Sequence, residues 1–331
     1  MKRINFLLLF FIVSQTIYCQ KISIFTDSIS SSLRGLSVVN NNIVWVSGSK
    51  GTVGKSIDAG KSWKWMKVKG FGKTDFRDIE AFDENTAVIM GVDTPAFILR
   101  TIDGGINWKV VYENHSKGMF LDAMDFMNNQ DGIVLGDPIN QHFFIAKTFD
   151  GGKTWQNLPE KDGPRADSGE ACFAASGTNI RLLGKSDFIF ISGGLTSHVF
   201  LNNHKVLLPL LQGKGSTGAN SIALKNNKIM IAVGGDFMQK EDTIRNCALS
   251  VDGGYNWILP KSPPSGYRSC VEFLSNNQWI TCGLNGVDIS IDNGMNWQKI
   301  SNQSFNVVRK AKKGNSVYFA GSAGIMGKLE Q

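Results

Sequence analysis

The chain predicts an all-β fold, a seven-bladed β-propeller whose last blade is completed by the N-terminal strand. Three observations predict it. A short turn motif recurs five times at a quasi-constant period, an apolar strand ending in glycine recurs seven times, and no stretch sustains helical periodicity. Composition agrees: of 331 residues, 19% are charged, 36 are glycine and 8 are proline, the mixture of an ordered, turn-rich β-protein.

From the N-terminus, residues 1–19 read as a secretory leader. Lys2 and Arg3 form its positive end, and Phe6 to Val13 an apolar stretch too short to span a membrane. Residues 20–331 are then the propeller domain, expected outside the cytoplasm, secreted or periplasmic. Cleavage before Gln20 leaves Cys19 at the preceding position. The alternative is a lipid anchor on Cys19, against which stands the bulky Tyr18. No later segment is long enough for a membrane span.

The formal charge of +7 includes the two leader charges and describes a solvated surface. Only Arg309-Lys310-Ala311-Lys312-Lys313 is locally dense in cations, and no nucleic-acid partner is expected. Cys172, Cys247, Cys270 and Cys282 are either disulfides or buried thiols, with Cys270 and Cys282 flanking a turn near Asn276. No Cys-x-x-Cys is present, and His115, His142, His198 and His204 share no ligand-like spacing. Neither a metal nor another cofactor is expected.

The turn motif is Ser/Thr-x-Asp-x-Gly-x-x-Trp, centred on Asp58, Asp103, Asp150, Asp252 and Asp292. The intervals are 45, 47, 102 and 40 residues, the long one being two repeats with a degenerate member near Leu201-Asn202-Asn203-His204. An Asp carboxylate accepts backbone N–H groups in a tight reversal, Gly supplies positive φ, and Trp covers the neighbouring strand. These aspartates are therefore structural. The glycine-ended strands finish at Gly48, Gly91, Gly136, Gly193, Gly234, Gly283 and Gly321, one per blade. The seventh blade lacks an outer strand, which Lys21–Phe25 supplies by pairing near Ile325–Leu329.

The boxes resemble the Asp-box (BNR) repeats of bacterial sialidases. Box and blade count together resemble the photosystem II stability/assembly factor propellers of plants and cyanobacteria. The second resemblance implies a non-enzymatic binding or assembly role. The first implies a glycoside hydrolase, although Phe76-Arg77-Asp78-Ile79 lacks the Ile-Pro of the sialidase Phe/Tyr-Arg-Ile-Pro motif.

A site is expected where the innermost strands begin, with the boxes on the opposite face. Aligning those seven starts gathers Arg34, Arg77, Asp78, Asp122, Glu170, Asn220 and Arg268 on one rim. Such a ring either holds neighbouring blades together by Arg–carboxylate pairs or grips a carboxylate, phosphate or glycan. Loops on the same face add Asp93, Asp137 and Asp236. Two of these acids could serve glycoside hydrolysis; no nucleophile triad, phosphate loop or nucleotide fingerprint is present. The expectation is a monomer that binds a protein or polar ligand, with a sialidase-like hydrolase as the alternative.

Overall fold

The computed structural model describes residues 20–26 and 29–330. The leader and Cys19 lie outside the described residues. Among the described residues there is no α-helix, and no helix is long and apolar enough to cross a membrane.

Seven antiparallel sheets form a ring. The innermost strands are Leu33–Val38, Phe76–Ala81, Leu121–Phe126, Ile180–Leu182, Thr217–Lys225, Cys270–Ser275 and Val307–Lys310. Blade 1 shows the pattern, continuing outward through Val44–Gly48, Thr52–Ser56 and Lys64–Lys67. In the last blade the outermost strand is Ile22–Thr26, antiparallel to Ile325–Leu329, with Ile22 opposite Leu329 and Thr26 opposite Ile325. The N-terminal strand thus closes the ring.

Buried apolar side chains pack each sheet face against the next blade. Trp45 and Val53 of blade 1 meet Ile79, Ile89 and Leu99 of blade 2 in one cluster. A larger cluster joins blades 6, 7 and 1 through Cys282, Phe305, Tyr318 and Val46. These interfaces are dry β-branched and aromatic layers, the packing that period-2 strands buried on both faces produce.

The five boxes share one bonding scheme. In blade 1, Ser56 Oγ donates to Asp58 Oδ1 at 2.9 Å and accepts Gly60 N–H at 2.9 Å, while Ser62 N–H donates to Asp58 Oδ1 at 2.9 Å. Each box also donates a backbone N–H to its own blade's inner hairpin, as from Ala59 to Asn42 O and from Gly151 to Gln130 O. The degenerate repeat falls where the sequence places it, as the tight turn between His198–Leu201 and His204–Leu207.

Two blades depart from the pattern. Blade 5 has three full strands, its fourth reduced to a bridge between Leu249 and Ile258 ahead of the prolines Pro260, Pro263 and Pro264. In blade 4 the innermost strand begins at Ile180, preceded by an inserted segment, residues 172–179. All four cysteines among the described residues are buried free thiols, with Cys270 directly opposite Cys282.

Candidate functional site

The innermost strands begin with a bulge. The ladder register slips at Arg34 in blade 1, Arg77 in blade 2, Asp122 in blade 3 and Asn220 in blade 5. Ser269 and Asn306 take the same place in blades 6 and 7, their N–H groups bonded to Cys282 O and Ala320 O. A bulge inserts one residue and re-aims its side chain. Repeated around a ring, it turns side chains of blades 1, 2, 5, 6 and 7 toward the axis. Arg34, Arg77, Asn220, Ser269 and Asn306 line a cavity of about 390 Å³ at this mouth.

The floor of the cavity is the segment that sequence reasoning missed. Phe173, Ala174 and Ala175 lie across the channel. Arg34 Nη1 donates to Ala175 O at 3.0 Å, Ser176 Oγ to Ser269 O at 2.7 Å, and Arg309 Nη2 to Gly177 O at 3.5 Å. Groups from blades 1, 6 and 7 therefore hold a plug that enters from blade 4. The residues missed with it include Phe237, Tyr267 and Leu284 on the apolar wall. Only the eight-residue excess ahead of Ile180 signals the plug in the sequence.

Electrostatically the cavity is a cation without an anion. Arg77 has Asp75, at 2.8 Å. Arg34 has no carboxylate within ion-pair distance among the described residues, only the Ala175 carbonyl. Burial, and then the charge of Arg77, lower the Arg34 pKa. The neighbouring amide of Asn220 is fixed by Tyr267 Oη, which donates to its Oδ1 at 2.8 Å.

The other four expected rim residues are placed elsewhere. Asp78 is 2% exposed and sits one position past the bulge. It accepts Ile79 N–H at 2.8 Å and, from the next blade, Met124 N–H at 2.7 Å. Burial raises its pKa to about 8. Asp122 occupies a bulge yet is fully buried, with neither carboxylate oxygen hydrogen-bonded. Burial and then Asp137 push its pKa well up, and burial raises Asp137 to about 6. Arg268 lies one residue before Ser269, buried in blade 6, with Nε on Asp288 Oδ2 at 2.6 Å.

Glu170 is the largest correction, because it stands outside the innermost strand altogether. It opens the two-residue strand Glu170–Ala171, bonded by Ser192 Oγ, by His198 Nδ1 at 2.9 Å and by Asp167 N–H at 2.7 Å. Asp167, Glu170 and His198 converge closely enough to hold a cation. Their atoms are taken, however: both Glu170 oxygens accept bonds, and Lys205 Nζ lies 2.5 Å from Asp167 Oδ1. The cluster fastens the start of the plug to blade 4.

Fold and site together define a seven-bladed β-propeller with a positively charged, plugged mouth. No protein-family model matches the chain. A sialidase of Micromonospora viridifaciens is 22% identical over 282 residues, which is 73% of this chain and 39% of that relative. Among solved structures, YCF48 from Cyanidioschyzon merolae superposes with a TM-score of 0.65 at 16% identity, covering 93% of this chain and 98% of that one. A YCF48 bound to D1 peptide gives 0.64 at 15% identity over 96% of each chain. The WD40 β-propeller domain of Doa1 gives 0.63 at 14% identity, over 92% and 95%. Likeness at these identities is likeness of fold.

Proposed function

We propose that this chain is an exported, non-enzymatic propeller that binds a protein partner through an anionic group at the plugged mouth, in a role of assembly or stabilisation. One observation carries the reading: Arg34 is a half-buried guanidinium facing a cavity, with no carboxylate within ion-pair distance among the described residues and a second arginine beside it. A planar guanidinium fork matches a carboxylate or phosphate bidentately, and the walls exclude water around the pair. Phe120, Phe173 and Phe237 offer apolar contact beside it. That a YCF48 has been seen with a bound peptide supports a peptide as the partner's form.

The glycosidase alternative draws on the sialidase likeness. Most glycosidases use two carboxylates flanking the glycosidic bond, whereas sialidases use a tyrosine nucleophile. Tyr267, the tyrosine of this cavity, is buried and spends its hydroxyl on Asn220. No aspartate or glutamate lines this cavity.

The test is fluorescence anisotropy against a library of acidic and neutral peptides, together with aryl-glycoside turnover. Acidic peptides should bind, and Arg34→Gln should weaken them by about 1–3 kcal/mol, the worth of a charged hydrogen bond. Turnover that survives purification, or acidic peptide binding indifferent to Arg34→Gln, defeats the reading.

A further inference from the structure

The opposite mouth, on the box side, is built on another plan. Here the innermost strands end, and polar side chains clip blade 1 to 2, blade 3 to 4 and blade 6 to 7. Ser37 Oγ accepts Ala81 N–H at 3.0 Å, Asp125 Oδ2 accepts Leu182 N–H at 2.8 Å, and Glu272 Oε1 accepts Lys310 N–H at 3.2 Å. Each carboxylate clip uses one oxygen, and the other oxygen of Asp125 and of Glu272 faces a guanidinium in a long ion pair that leaves guanidinium N–H donors without a hydrogen bond. Arg181 comes no closer than 3.6 Å to Asp125, and Arg309 no closer than 3.7 Å to Glu272. Both distances exceed a hydrogen bond.

A guanidinium carries five N–H donors. Those of Arg181 find Ile180 O at 2.9 Å, and those of Arg309 find Gly177 O at 3.5 Å. Arg181 Nη2 is buried without any partner. The side chains are only 13% and 17% exposed. Buried donors without acceptors are rare in native proteins, and such a group calls for a missing one. Two cavities of about 370 and 380 Å³ adjoin at Arg309 and Glu272, so there is room for it. Lys313 adds charge at the rim, while Lys312 is bonded to Glu80.

We propose that this box-side mouth is a second binding site, specific for a phosphate group held between Arg181 and Arg309. A carboxylate is flat and satisfies one fork. A tetrahedral phosphate presents acceptors in several directions and can satisfy two forks from different blades. The space exceeds a bare ion, and Phe82 and Phe126 form an apolar side of the same cavity, so a phosphate monoester fits as well as free phosphate.

Isothermal titration with inorganic phosphate and with phenyl phosphate tests the site on the purified protein. Saturable binding is expected, weakened at least tenfold in Arg181→Gln and only partly in Arg181→Lys. Arg34→Gln, at the other mouth, should leave it unchanged. A tighter monoester marks an esterified ligand, and equal affinities mark the free ion. Absence of saturable binding of either probe, full binding in Arg181→Gln, or loss of binding in Arg34→Gln overturns the proposal. Lys313→Gln changes one exposed charge with the clips intact, so it reads the site even where an arginine variant fails to fold; a two- to threefold weakening is expected. Phosphate binding indifferent to Lys313→Gln then overturns the proposal.

Discussion

At the residue scale, two populations of aspartate have opposite pKa shifts. Hydrogen bonds from the Ser62 hydroxyl, then its backbone N–H, hold Asp58 at about 2, and the Asn256 side chain does the same for Asp252. Their unfolded value is about 3.9. The stability they contribute is present above about pH 4 and lost as pH falls toward 2. Asp78 runs the other way. With burial raising it to about 8, the folded state binds its proton more tightly, and stability is lost as pH rises from about 4 through 8. Thermal unfolding across pH should therefore peak in mildly acidic solution, and Asp78→Asn should flatten the alkaline limb. An unchanged limb in that variant shows that Asp78 is not the group responsible. Among the boxes, Asp150→Ala removes bonds to Thr154 N–H, Thr154 Oγ1 and Thr148 Oγ1. It should cost about 1–2 kcal/mol by urea denaturation, the range of a lost cap or turn bond.

The boxes were legible because the side-chain bonds of the Ser/Thr and Asp close within a few residues of one motif. A similar locality explains why Arg34, Arg77 and Asn220 were found: each lies in a strand whose glycine-ended partner fixes its register. Arg268 went astray by a single residue, since Ser269 is the side chain of blade 6 that lines the cavity, and one position in a strand reverses the face. Asp78, one position past its bulge, and Asp122, at one, both carry buried carboxyl groups, a placement that depends on neighbouring segments and is invisible to a pattern along one chain. Glu170 was lost to the plug. Counting back from Gly193 sets Glu170 at a strand start, and only the eight-residue excess before Ile180 shows that the chain leaves the sheet there.

At the element scale, that plug makes the sharpest demand on one residue. Gly177 has φ +64°, and a Cβ there would lie 2.3 Å from the Asp78 carboxyl group. Gly177→Ala combines left-handed strain of about 1–2 kcal/mol with that collision. It should be destabilised by more than that strain alone and should lose anion binding at the plugged mouth, because Ala175 no longer seats against Arg34. Gly72, with open space around its α-carbon and no unusual φ, is the control. Gly72→Ala should unfold within about 0.5 kcal/mol of the parent. Equal behaviour of the two variants would mean that the plug tolerates a shift of its backbone.

At the scale of the whole molecule, each blade closes its own strand ladder, while polar clips and buried faces tie it to its neighbours. Each sheet covers its neighbours' apolar faces, so the ring is stable only when complete. The N-terminal strand matters beyond its own pairing, because Phe25 also stacks on Trp63 of blade 1, ring centroids 6.4 Å apart. Removing residues 22–26 should expose Tyr318 and Met326, lower the unfolding temperature and promote association, as read by calorimetry and light scattering. A monomeric variant of parental stability would show that closure is dispensable.

The pairing of Ile22 with Leu329 also sets an order of events. A ribosome emits the first strand long before its partner exists, so that strand must wait, unpaired, through the synthesis of six blades. Its contact is among the most distant in sequence that the chain can form, and distant contacts close slowly because loop entropy is lost before they form. Blade 7 is then the final piece to set, and an N-terminal segment held elsewhere would leave an otherwise finished ring open. A circular permutant that fuses the two ends and begins instead at the exposed turn of Lys73 makes the pair local. It should refold faster than the parent to the same structure.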